Sequence, residues 1–210
     1  EKRLSREKHP NKMFFSYANT VATIDFAKQF KGHGWVGISY QIEPDEDYNE
    51  IILHIRFKET DVRLQQETLG ILGVNLIYGA FYKYNDPKRL LRYLYDHLDK
   101  DQLEIDTINF SGPRFADVDN RLMSLQLVKN GMTDAVMFNP DGKNILPAAI
   151  LYKKNILAFR GSFRPVTKVN MDMYEKSLKM FLKENKVEKE NTLVIFEITL
   201  SNLRSDGEID

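Results

Sequence analysis

"WVGISYQIEPDEDYNEIILHIRF", residues 35–57, is the stretch on which the fold turns. Its first run places Val36, Ile38, Tyr40 and Ile42 on one face. Its second does the same with Ile51, Leu53, Ile55 and Phe57, after the acidic loop EPDEDYNE. Strict apolar–polar alternation on both sides of a polar loop predicts a β-hairpin with one buried face. Upstream, TIDFAKQF (23–30) fits a short helix, and the charged EKRLSREKHPNK has no apolar period and reads as a mobile arm.

Downstream the period changes. Residues 61–82 predict a long helix with Asp61 near its start. Its second half is apolar nearly all round, which predicts a central place in the fold. Gly70, Gly73, Gly79 and Ala80 would let another backbone approach closely. Asp86-Pro87 supplies an N-cap and a first-turn proline for a helix carrying Leu90, Leu91, Leu94 and Leu98 on one side. Strands are then expected at LEIDTINF (103–110), DAVMFN (134–139), ILAF (156–159) and TLVIFEITL (192–200). Helices are expected at 116–130, stopped by Gly131, and at 171–184. Strands alternating with helices predict an α/β fold: a mainly parallel sheet flanked by helices, with the hairpin at its N-terminal side. The expected organisation is an arm at 1–12, hairpin plus helices at 13–100, and a parallel α/β portion at 101–210, which could form one domain with the part before it. The chain starts at Glu1 without Met and ends on RSDGEID, as a segment of a larger chain would.

The 30 basic and 30 acidic side chains cancel, which argues against general nucleic-acid binding. With no cysteine, disulfides and thiolate metal sites are excluded. The longest apolar stretch, Leu69 to Tyr82, is shorter than the roughly 20 residues of a spanning helix, and the N-terminus lacks signal-peptide character. No membrane role and a cytoplasmic setting are therefore expected.

GHGWVG (32–37) satisfies G-x-G-x-x-G, but the dinucleotide fingerprint needs a strand before and a helix after, and here that order is reversed. A phosphate-binding P-loop and a G-x-S-x-G nucleophile turn are absent. His9, His33, His54 and His97 show no metal-ligand spacing; His54 on the polar face of the hairpin and His97 on an amphipathic helix read as surface residues. No catalytic residue or resident metal follows from these patterns.

Two similar loops remain. FSGPRFADVDNR (110–121) and FRGSFRPVTKVN (159–170) each follow a strand, precede a helix and combine Gly, Ser, Arg and Pro. Helix N-termini at strand ends offer free N–H groups to anions, and arginine adds a planar fork for phosphate or carboxylate. Ser111, Gly112, Arg114, Asp117 and Asp119 in the first loop, with Arg160, Gly161, Ser162 and Arg164 in the second, are thus the candidate ligand-binding residues. The expected partner is a phosphorylated or nucleotide-like small molecule, with Mg²⁺ entering only if it is a nucleotide. Turn chemistry offers the other explanation: Asp117 or Asp119 caps its helix and the arginines pair with carboxylates. Asn75 and Tyr78, amid small residues, could line a cleft or pack a core.

RLQQETLGILGVNLIYGAFYKYNDP, FSGPRFADVDNRLMSLQLVKNGMTDAVMFNPDGK and RGSFRPVTKVNMDM resemble a family of uncharacterised bacterial proteins longer than this chain, over most of residues 10 to 205. Its members carry two conflicting labels, nicotinamide or nicotinate mononucleotide adenylyltransferase and TonB-dependent receptor. The H-x-G-H motif of mononucleotide adenylyltransferases is missing, since KGHGW is not that motif. A receptor of that class is a membrane barrel, which this α/β pattern is not. What the resemblance implies is a nucleotide-related enzyme, of nucleotidyl transfer or related metabolism; the competing expectation is a non-catalytic interaction or scaffold module with aromatic contact residues and self-association.

Overall fold

The alternation of the opening stretch becomes strands. The computed structural model describes residues 8–22 and 32–204. The helix expected at 23–30 and most of the N-terminal arm lie outside them. β1 (Phe15–Asn19), β2 (His33–Tyr40) and β3 (Asn49–Phe57) run antiparallel in order, with Val36 facing Leu53 and Ile38 facing Ile51. β3 is followed by α1 (Val62–Tyr82) and α2 (Pro87–Tyr93), and these by β4 (Leu103–Ser111), which pairs antiparallel with β3.

The mainly parallel sheet expected from the strand–helix alternation is therefore corrected. The larger sheet is a four-stranded antiparallel one in the order β1-β2-β3-β4. The physical reason is the length of one connection. A single crossover helix returns the chain to its starting end and makes the next strand parallel. Two consecutive helices, α1 and α2, reverse it once more, so β4 comes back antiparallel.

One face of this sheet holds the core. Val36, Ile38, Tyr40, Ile51, Leu53, Ile55, Phe57, Leu103, Ile105, Ile108 and Phe110 are buried against Leu72, Leu76 and Ala80 of α1, and Leu90, Leu91 and Leu94 at α2. Asp61 caps α1 by accepting from the N–H groups of Arg63 and Leu64, and Asp86 caps α2 through Arg89 N–H. α1 buries one stripe, Gln65, Thr68, Leu72, Leu76 and Ala80, while Val74, Tyr78 and Tyr82 are exposed, so it covers the sheet rather than being surrounded. Gly79 makes the approach of α2 close: a Cβ there would meet Leu90 Cγ at 3.2 Å. Asn75 donates to the carbonyls of Leu94 and Asp96, which accounts for its burial, and it also borders a hollow beside Gly70 and His97.

α3 (Asn120–Lys129) starts four residues later than the spacing predicts, because Pro113–Phe115 forms a separate 3₁₀ turn and Asp119 is the cap. Gly131, with φ of 67°, follows its end. The strand expected at 134–139 shrinks to β5 (Met137–Phe138), paired with β6 (Asn144–Ile145).

The chain divides after Ile145 into two compact units. The second contains α4 (Pro147–Leu151), β7 (Asn155–Arg160), α5 (Lys168–Phe181), β8 (Thr192–Glu197) and α6 (Leu200–Arg204). Among the described residues, strands run parallel only here: β7 pairs with β8 as a βαβ unit around α5. Among the described residues no helix is long and apolar enough to cross a membrane.

Candidate functional site

The two loops singled out by their residues lie in different units, and each forms its own local network. In the first, β4 ends at Ser111, whose hydroxyl lies 3.4 Å from a Glu50 carboxylate oxygen. Gly112 takes φ of 105°, and a Cβ there would sit 2.5 Å from the Tyr48 carbonyl oxygen. Only glycine suits that turn. It aims Arg114 at the acidic hairpin loop. Arg114 N–H donates to Asn49 Oδ1 at 2.8 Å, its Nε to Glu46 at 2.5 Å and its Nη2 to Glu43 at 2.8 Å.

The electrostatics match that geometry. Hydrogen bonds to Glu46, then Glu43, hold the Arg114 guanidinium protonated more firmly than usual. Burial pushes the Glu46 carboxyl up, but Arg114 and the N–H groups of Ile42 and Glu43 outweigh it and leave the carboxyl below its ordinary range. An anion arriving at Arg114 would have to displace two carboxylates.

Asp119 accepts from the Arg121 N–H and pairs with the Arg121 side chain at 2.7 Å. That side-chain bond, first among several, lowers its carboxyl to about 2. It is a helix cap with a local ion pair. Asp117 is exposed and shows no ion pair or hydrogen bond among the described residues.

In the second loop, Arg160 pairs with Glu197 across β7 and β8 at 2.8 Å, and Gly161 N–H donates to the Glu197 carbonyl. Ser162 and Arg164 are exposed. Phe163, with φ of 50°, turns its ring onto Phe196 at 5.2 Å. Thr167 and Asn170 close a reciprocal capping box at the start of α5, so a donor there is already satisfied. Among the described residues no three His, Asp or Glu side chains converge on a metal position. Two open hollows, of about 620 and 590 Å³, are lined by Glu59, Tyr95 and Leu98 and by Glu67, Val74, Asn75 and His97, residues of neither loop.

One polar cluster escaped the sequence reading. His54, expected at the surface, is only 2% exposed. Its Nδ1 lies 2.8 Å from Asp106 Oδ1, and its Nε2 lies 3.4 Å from His33 Nδ1. The hairpin register carries half of the signal, since it sets Trp35 opposite His54 and His33 opposite Arg56. Asp106 comes from a strand 52 residues away, and local pattern cannot bring it there.

Comparison of the chain with protein-family models, curated proteins and solved structures finds no match.

Proposed function

We propose that this chain is a polypeptide-docking module whose second unit takes an acidic, apolar segment as an added strand. The observation that carries this reading is the unfinished state of the β7–α5–β8 unit. Parallel sheets are found with both faces covered and with more than two strands. Here Phe159 and Phe196 face α5, where the Tyr174 ring lies about 6 Å from each. By alternation, Ile156, Ala158, Leu193 and Ile195 form the opposite face, and Ile156 remains 39% exposed. Among the described residues, each of the two strands has one neighbour and one free edge.

A free apolar edge is a template for strand addition, in which backbone bonds give affinity and alternate side chains give specificity. Charge points to the occupant. Residues 146–204 carry eleven basic and six acidic side chains, a net +5. An acidic segment with apolar residues at alternate positions complements that surface. An anionic small molecule draws less support, because Arg114 and Arg160 already hold carboxylates.

The test is selection of displayed peptides on the full chain, followed by anisotropy titration with wild type and Ile156→Asp. The expected peptides alternate apolar and acidic residues, weaken with salt and lose about 10-fold or more on Ile156→Asp, about 1.4 kcal/mol. Peptides that bind both proteins equally would overturn the proposal. So would concentration-dependent dimerisation abolished by Ile156→Asp, which makes a second copy the occupant. A thermal shift with nucleoside phosphates that Arg164→Ala abolishes would return the small-molecule reading.

A further inference from the structure

The outer face of the four-stranded sheet should be the wet one. An antiparallel sheet with a core on one side presents polar residues to water on the other. His33, Arg56 and Asn109 follow that rule and are exposed, and the apolar Trp35 and Ile52 are exposed beside them. His54 and Asp106 do not: they are 2% and 6% exposed.

A backbone irregularity accounts for their meeting. Ile105 and Ile108 both reach the core, although strict alternation would put them on opposite faces. The pairing with β3 shifts between His54 and Ile55, which leaves Asp106 as an extra residue in β4. Such bulges re-aim a side chain and recur beside functional sites. This one turns a carboxylate onto His54 at 2.8 Å. Trp35 lies edge-on to the same ring at 4.9 Å between centroids.

One placement of protons satisfies both contacts with Asp106 ionised and both rings neutral. An ionised Asp106 only accepts, so His54 Nδ1 carries a hydrogen. A neutral His54 accepts at Nε2, so the His33 Nδ1 beside it is the donor. What remains is the lone pair on Nε2 of the exposed His33 ring.

We propose that His33, His54 and Asp106 form a proton relay serving a ligand on the outer sheet face, with His33 Nε2 as the proton acceptor. A ligand O–H or N–H gives its proton to His33 Nε2 and keeps the bonding pair as its conjugate base. His33 passes its Nδ1 proton to His54 Nε2, leaving an imidazolium against the Asp106 carboxylate. The ligand takes one negative charge and His54 one positive, so the net charge is conserved. His54 and Asp106 are positioning residues; His33 is the group that touches the ligand.

The neighbours define the ligand class. Trp35, 43% exposed, offers an indole surface, and Arg56 stands opposite His33 in the register. Arg56 has no ion-pair partner among the described residues; Glu104, facing it on β4, accepts instead from the Thr133 hydroxyl. A planar ring bearing an anionic group would stack on Trp35, pair with Arg56 and present its proton to His33.

The chain has one tryptophan, so its fluorescence reads this face directly. Phenyl phosphate is the probe: saturable quenching is expected, weakened about 10-fold by Arg56→Ala, a loss within the range of a charged hydrogen bond. No quenching, or quenching indifferent to Arg56→Ala, overturns the ligand class. For the relay, long-range ¹⁵N–¹H correlation should find His33 and His54 both protonated at Nδ1; a His54 protonated at Nε2 overturns it. Carbethoxylation by diethyl pyrocarbonate should modify His33 about 10-fold faster than His9, a modest share of what a positioned base contributes. Asp106→Asn, which keeps the shape, should bring His33 down to the His9 rate. Equal His33 rates in wild type and Asp106→Asn overturn the proposal.

Discussion

The two units answer similar local sequences in different ways. Each has a strand ending in a Gly-Ser-Arg-Pro loop that leads into a capped helix. In the first unit that loop sits on a sheet whose core side chains are fully buried, among them Leu53, Ile55 and Leu103. In the second, no side chain of α5 is buried, and among the described apolar residues only Phe159 is. The same turn chemistry therefore stands on a finished core in one case and an open one in the other. Stability in such a molecule is not uniform, and the element with little burial opens first.

The comparison breaks most visibly in the cores. Leu53→Ala, in the central strand of the first sheet, is expected to cost about 3 kcal/mol by urea unfolding. Ile156→Ala, on the half-open β7, should cost less than about 1 kcal/mol. Equal losses would mean that the second unit is as well packed as the first. A smaller effect comes from the loop itself. Gly112→Ala must hold a left-handed φ and a Cβ 2.5 Å from a carbonyl, so a loss of about 2 kcal/mol is expected in thermal melts. Gly161, whose neighbours are Phe163 ring atoms at 3.1 Å or more, should tolerate alanine better in the same melts.

The smallest effects come from the caps, and they sharpen the contrast. Asp119→Ala should cost about 1 kcal/mol of global stability. Thr167→Ala should instead speed amide exchange in α5 with little change in the main transition. The Asp119 cap also has a sign in pH. Its carboxyl is lowered to about 2 from the ordinary 3.8, so its contribution is complete above the unfolded value and disappears as pH falls towards 2. Wild type and Asp119→Ala should therefore converge in melting temperature between roughly pH 4 and 2. A gap that stays constant over that window would assign the effect to helix propensity alone.

Much of the local structure was legible. Alternation at 36–42 and 51–57 located the hairpin, and Asp61 and Asp86-Pro87 marked two helix starts to within a residue. Asp119 was one of two caps the spacing allowed, and it is the one used. Strand direction was not legible, because a strand's residues carry its faces and not the sense in which it returns. Residues 192–200, apolar enough for a doubly buried strand, end as β8 at Glu197 and stay half-exposed, since burial needs a covering layer that the run cannot encode.

The candidate site divides along the same line. Gly112, Asp119, Arg114 and Arg160 were chosen for turn and charge chemistry that sequence does express. What the charges meet is decided by chain segments far away, Glu43 and Glu46 for Arg114 and Glu197 for Arg160. His54 and Asp106 are the extreme case, joined across 52 residues by a single extra residue in β4. By itself the sequence determined the periods, caps and turns, because those depend on neighbours along the chain. The sheet's antiparallel order, the partners of its arginines and the buried imidazole–carboxylate pair were settled only in three dimensions, where strands distant in sequence choose their register.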